Sequence, residues 1–110
     1  MVTWRPRGRR RRRRQFAPEN RRVDEVVPLD GFEVLDKVAS LPVSTWRYVW
    51  EPAGVRHLGP MAQDFAAAFG LGDDDRVINH LDANGVLMVS VQALHRRVQE
   101  LEARLAALEA

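Results

Sequence analysis

Apolar residues recur at alternating spacings of four and three over residues 87–110. The chain places them at Leu87, Val91, Leu94, Val98, Leu101, Leu105 and Leu108, which we call the seam. This heptad spacing predicts a helix whose apolar residues are buried by supercoiling against partner helices. The sequence therefore predicts a coiled coil, and the alternative is an amphipathic helix that folds back on its own domain.

Charged residues flank the seam in a pattern typical of a parallel assembly. With the valines of the seam at heptad position a, arginines fall at g and glutamates at e. In a parallel coiled coil, a g residue faces the e residue five positions later on the neighbouring helix. Valine at a with leucine at d favours dimers, and Leu105 at an a position weakens that preference, so two and three strands both remain open. We expect two inter-chain ion pairs: Arg97 with Glu102, and Arg104 with Glu109.

The residues before the seam predict a small α+β globular part. Asp30 followed by Glu33 forms a capping-box-like start, and apolar residues then recur at helical spacing, so we expect a helix over 31–41. Aromatic and β-branched residues over 44–50, a turn at 51–54 and an apolar run over 55–58 predict a β-hairpin.

A second helix should begin near Pro60 and stop at Gly70, and a short strand should follow over 76–80. We expect a turn at 82–85, with Asp82 or Asn84 capping the terminal helix. The side chains expected to pack inward are Trp46, Met61, Phe65 and Phe69. The predicted organisation is a leader over 1–20, a globular part over 21–86 and a coiled-coil helix over 87–110.

The basic charge of the chain is concentrated in its leader. The net charge is +2, but eight of the 17 basic residues lie between Arg5 and Arg14, so residues 15–110 carry nine basic against 15 acidic groups, a net of −6. Six consecutive arginines without apolar periodicity predict a disordered segment. Residues 5–14 are either a polyanion-binding or nucleic-acid-binding arm, whose affinity would fall steeply with salt, or an adventitious leader.

Composition offers no support for cofactor or metal chemistry. The chain has no cysteine, and its three histidines, at 57, 80 and 95, are scattered, so we expect neither a metal site nor a cofactor. No apolar run approaches the roughly 20 residues that a membrane span needs. We expect a soluble protein without a membrane partner, in a virion tail or in a bacterial cytoplasm.

Three stretches carry a family resemblance. They are residues 20–30 (NRRVDEVVPLD), residues 41–48 (LPVSTWRY) and residues 57–65 (HLGPMAQDF), and residues 82–87 (DANGVL) then lead into the long helix. In order and spacing they resemble the C-terminal intramolecular chaperone domain of phage tail spikes and fibres, the endosialidase-type or peptidase S74 family. The third stretch holds the motif residues Gly59, Pro60, Met61, Ala62, Gln63 and Asp64.

The resemblance implies an α+β part followed by a long helix, assembled as a homotrimer behind a fibre or spike chain. Such a domain helps three chains find their register and is often released by self-cleavage. For Gln63 the resemblance implies a structural or inter-subunit hydrogen bond, and the alternative is an exposed polar side chain. His57 is expected to pack in its strand.

The sequence departs from this family at the residues of self-cleavage. The family uses a serine at the scissile bond and a nearby lysine as its base. Here the serine position holds Glu19 or Pro18 and the lysine position holds Asp24 or Val23, which cannot take those roles. The single lysine of the chain, Lys37, precedes Ser40 by three residues, which is expected to be a solvated helical pair.

We therefore expect a non-cleaving chaperone and trimerisation module with no catalytic residue. A dimer is the alternative assembly, and an oligomeric polyanion-binding protein that uses the arginine arm is the alternative function. An enzyme acting on an external substrate is disfavoured, because no nucleophile, acid and base stand at a convincing spacing.

Overall fold

A computed structural model describes residues 23–110, which form three helices and one β-hairpin. In chain order the elements are α1 (Gly31–Ser40), β1 (Ser44–Trp46), β2 (His57–Gly59), α2 (Ala62–Phe69) and α3 (His80–Glu109). This order confirms the predicted α+β class, with a helix, a hairpin, a second helix and a long terminal helix. The predicted leader, including the arginine arm, lies outside the described residues.

The first helix begins where its capping signal predicts. The Asp30 carboxylate accepts hydrogen bonds from the backbone N–H groups of Phe32, at 2.9 Å, and Glu33, at 3.4 Å. These bonds satisfy two of the amide groups that a helix start leaves without partners. Residues 23–29, which precede the cap, form no regular element.

The hairpin is shorter than predicted. β1 and β2 pair antiparallel with Ser44 opposite Gly59, Thr45 opposite Leu58 and Trp46 opposite His57. The predicted first strand ends four residues early because Glu51 donates its backbone N–H to the carbonyl of Tyr48, at 3.1 Å, which closes a turn. Apart from chain neighbours, no Cα of either strand lies within 8 Å of a Cα in a described helix.

The second helix ends as predicted but begins later. Gly70 adopts the left-handed conformation, with φ of 60°, and donates its N–H to the carbonyl of Ala66. Glycine reaches this conformation without a Cβ penalty, which explains the stop. Pro60 precedes the helix instead of forming its first turn, and Met61 is the N-cap residue. Phe65 is buried as expected, and Phe69 is half-buried.

The terminal helix begins earlier than the sequence predicts, and two predictions are wrong here. Asn79 caps it, with its side-chain oxygen accepting the N–H of Leu81 at 2.8 Å, so residues 82–85 are helical and neither Asp82 nor Asn84 is the cap. The short strand expected over 76–80 is not formed. A strand needs a neighbour, and here the Asp74 carboxylate accepts the N–H of Arg76 at 2.8 Å and holds the backbone in a turn instead.

The small core lies among the three helices, where α1 packs on α3 and also contacts α2. The buried apolar residues of the described part are Leu35, Phe65, Val86 and Ala93, and Ala93 is 0% exposed. A Cβ at Gly31 would lie in ordinary van der Waals contact with the Cβ of Ala93, at 3.6 Å, so the two helices pack side by side here. Ser90 is also buried, and its hydroxyl donates to the carbonyl of Val86 at 2.8 Å.

Candidate functional site

Every seam residue is exposed in the single chain. Their exposed fractions run from 48% at Val98 to 84% at Leu108. From Leu94 to the end of α3, all residues are exposed. A 30-residue helix is about 45 Å long, and its buried residues end at Ala93, near its midpoint. The described part of the chain thus leaves uncovered an apolar stripe that normally requires a partner.

The covered side of α3 is a different side of the helix. Val86, Ser90 and Ala93 are its buried residues. At the 3.6 residues per turn of an α-helix, they are centred roughly 100° around the axis from the neighbouring seam residues. The helix therefore does fold back on its own domain, as the alternative expects, but through another stripe that leaves the seam free.

Two arginines of α3 contact α1 beside the buried residues. The guanidinium groups of Arg96 and Arg97 lie 4.9 and 5.0 Å from the centre of the Phe32 ring, within the range of cation–π attraction. Arg97 Nη2 also lies 3.5 Å from Asp36 Oδ1. Arg97 therefore has an intra-chain partner in the single chain, and its expected pairing with Glu102 of a neighbouring chain stays a prediction.

The second predicted ion pair, between Arg104 and Glu109 of neighbouring chains, also stays a prediction. Glu102, Arg104 and Glu109 are exposed on α3, and they form no salt bridge with another residue of the range 23–110. Their side chains are therefore available at the surface beside the seam.

The family motif links the hairpin to α2. Gly59 is the last residue of β2, Met61 is the N-cap of α2, and Pro60 between them is half-buried. The prediction that Met61 packs inward is wrong in the single chain, since it is 40% exposed at the helix start. Gln63 and Asp64 are exposed on the first turn of α2, and Ala62 is half-buried. For Gln63 the structure thus shows an exposed side chain.

The loop end of the hairpin holds an aromatic cluster that the sequence only partly indicates. The Trp46 ring lies 4.8 Å from the His57 ring and 4.9 Å from the Tyr48 ring, and Tyr48 stacks on Trp50 at 4.4 Å. Trp46 is half-buried, and its Nε1 is covered without a hydrogen-bond partner among the described residues. His57 packs in its strand, as predicted.

Glu51 forms hydrogen bonds with two residues of this cluster, whereas the sequence predicts it only as part of a turn. Its carboxylate lies 2.8 and 2.9 Å from His57 Nε2 and accepts the backbone N–H of Tyr48 at 2.9 Å. The hydrogen bond from His57, followed by that from Tyr48, lowers the pKa of Glu51 below its ordinary value. Its spacing of six residues from His57 across a hairpin turn is the signal that could have found the pair.

Ser40 and Lys37 bind different groups within α1. Ser40 Oγ donates to the backbone carbonyls of Asp36 and Lys37, both at 3.2 Å, and Lys37 Nζ lies 3.7 Å from Glu33 Oε1. Each group therefore has its own helical partner, as expected of a solvated pair. Asp24 is exposed and Val23 half-buried, while Pro18 and Glu19 lie outside the described residues.

Within residues 23–110, no three histidine, aspartate or glutamate side chains come together as a possible metal site. None of the three helices described is both long enough and apolar enough to span a bilayer.

Comparison with known proteins places the resemblance on the first half of the described residues. Residues 21–71 match the Peptidase S74 family model, described as chaperone of endosialidase, which confirms over this range the resemblance expected from the sequence. This range includes α1, the hairpin, α2 and the motif residues, and it ends before α3. No curated protein and no solved structure matches the chain.

Proposed function

We propose that this chain, whose residues 21–71 match the chaperone of endosialidase family, is a folding and trimerisation module that does not cleave itself. Three copies would associate in parallel through the seam of α3. If the chain is part of a longer protein, the module would hold three upstream fibre or spike chains in register.

The observation that carries the proposal is the exposed seam. Seven apolar residues follow a heptad repeat on one helix, and all are about half-exposed or more. The α1–α3 core occupies another side of that helix. Three helices packed through the seam would bury this stripe without displacing the core. Heptad sequences favour such packing of helices through their a and d residues.

The flanking charges support a parallel arrangement over an antiparallel one. The g-to-e pairs place opposite charges together only when the neighbouring helices run in the same direction and in register. Parallel helices bring three identical chain ends together. Because long-range β pairing is slow to form, such alignment would speed the folding of an intertwined upstream chain.

The absence of self-cleavage follows from the residues at the family's reactive positions. A carboxylate or an alkyl side chain at the lysine position cannot supply the neutral amine that activates a serine hydroxyl. The remaining serine–lysine neighbours, Ser40 and Lys37, are bound to carbonyls and to Glu33 in α1.

Sedimentation equilibrium of the full chain at several concentrations tests the assembly. We expect the mass of a trimer. The variant Leu94→Asp with Leu101→Asp should sediment as a monomer, because six carboxylates would have to enter an apolar interface. The matched control is Gln92→Asp with Gln99→Asp, which adds the same charge at exposed positions off the seam and should remain trimeric.

Each outcome has a definite meaning. The mass of a dimer would agree with association through the seam but would contradict the proposed trimer. A monomeric wild-type chain, or a Leu94→Asp, Leu101→Asp variant that assembles like its control, would reject the coiled coil.

Intact-mass spectrometry of the purified chain tests the second half of the proposal. We expect the full-length mass, unchanged after prolonged incubation. A product that begins at or near residue 19 would show that the chain cleaves itself despite its substitutions.

A further inference from the structure

Among the described elements, the hairpin packs least against the rest of the protein. It has only two strands of three residues each, and no described helix lies against either strand. A two-stranded hairpin is at best marginally stable in water, whereas three strands or a packed helix give independent stability. Its internal aromatic cluster covers one face, on which Trp46 and His57 lie.

The other face is apolar and open. Thr45 and Leu58 are directly opposite each other, so their side chains share a face, and the alternation of a strand adds Val43 to it. Leu58 is 75% exposed and Val43 is 58% exposed. The same alternation places Arg56 at the loop end of this face, whereas Arg47 Nη1 donates to the loop carbonyls of Glu51, at 2.7 Å, and Tyr48, at 3.4 Å. The outer edge of β2 forms no backbone hydrogen bond with another described residue.

A complementary segment precedes α1. Residues 24–29 (DEVVPL) are exposed, form no regular element and make no backbone hydrogen bond to other described residues. In an extended chain, Glu25, Val27 and Leu29 point to one side. That side of the segment carries one acidic residue followed by two apolar residues. The open face of the hairpin carries a basic residue, Arg56, followed by the apolar residues Leu58 and Val43, so the two surfaces are complementary. Pro28 lacks an N–H and fits an edge strand.

We propose that residues 24–29 of one copy add as a third strand along the free edge of β2 of a second copy. This inference rests on the proposed oligomer, because it places the donor segment on a neighbouring subunit. The mode is β-strand addition, in which backbone hydrogen bonds provide affinity and alternate side chains provide specificity.

Reach and charge favour a neighbouring copy as the occupant. Six extended residues span roughly 20 Å, which exceeds the length of the three-residue β2, so the segment can cover the whole free edge of that strand. The segment does not cover the hairpin of its own chain, in which Leu58 is exposed. The arginine arm is an unsuitable occupant, because its charge has the same sign as Arg47 and Arg56.

Disulfide trapping tests the contact in the full chain, which has no cysteine of its own. The variant Val27→Cys with Leu58→Cys replaces two exposed side chains and so leaves no cavity. Under mild oxidation we expect covalent trimers on a non-reducing gel, with disulfide-linked peptides that join positions 27 and 58 identified by mass spectrometry. The control, Val27→Cys with Val77→Cys, uses another exposed valine away from the hairpin and should give only background links.

The outcomes separate this inference from the proposed assembly. Linking equal to the control, or a link within one chain, overturns the strand addition. The mass of the reduced double variant is measured in parallel. If that variant is a trimer that does not cross-link, the strand addition alone is wrong, and if it is a monomer, both the strand addition and the assembly are wrong.

Discussion

Leu35 should contribute more to the stability of the single chain than any exposed residue of α1. It is 8% exposed and lies one turn after Gly31, on the side of α1 where Gly31 faces Ala93 of α3. Burial of a leucine side chain is worth about 2 kcal/mol, and the cavity left by Leu35→Ala adds to the cost, for a general range of about 2–5 kcal/mol. The core is thin, and half-buried Val34 and Val38 flank the site and can partly close the cavity. We therefore expect a loss of about 2–3 kcal/mol.

For a domain of this size, about 1 kcal/mol lowers the melting temperature by roughly 4–8 °C. Leu35→Ala should thus melt roughly 10–20 °C below the wild type when the helical circular dichroism is followed at a fixed protein concentration. Concentration must be constant because assembly adds to the apparent stability. The control is Lys37→Ala, which removes an exposed side chain and a surface pair with Glu33 worth at most about 0.5 kcal/mol. Equal melting temperatures for the two variants would refute the α1–α3 packing.

Two further predictions concern the loop end of the hairpin and the start of α3. Because hydrogen bonds lower the pKa of Glu51, its contribution to hairpin stability is present above the ordinary glutamate pKa of about 4.3 and is lost as the pH falls through the lowered value. Tryptophan fluorescence should therefore change below about pH 4, and this change should disappear in Glu51→Gln; an identical profile in that variant would contradict the role of the carboxylate. Asn79→Ala should cost about 1 kcal/mol in urea unfolding through loss of the cap, whereas Asn84→Ala, inside the helix, should change stability by only a few tenths of a kcal/mol. Equal costs for the two asparagines would place the helix start elsewhere.

Several elements could be predicted because their signals are local. The Asp30 cap and the Gly70 stop depend on hydrogen bonds and backbone angles within a few residues. The heptad spacing of the seam depends only on the period of the helix, and the family motifs are readable from residue order. These signals gave the α+β class, the order of the elements and the family match over residues 21–71.

Other features depended on contacts between distant residues. Residues 76–79 have strand-like composition but no neighbouring strand, so the Asp74 turn and the Asn79 cap determine their conformation. The pairing of Glu51 with His57 required the hairpin to close and bring the two side chains together.

Heptad spacing alone determined that α3 carries an apolar stripe suited to a partner. Only the tertiary structure decided which side of α3 the chain itself covers, because α1 packs on that side, with Gly31 facing Ala93. Packing at that crossing buries Val86 and Ala93 and leaves the seam exposed. A periodic pattern specifies that a face is apolar, whereas the identity of its neighbour is set by the shape of the residues on both surfaces.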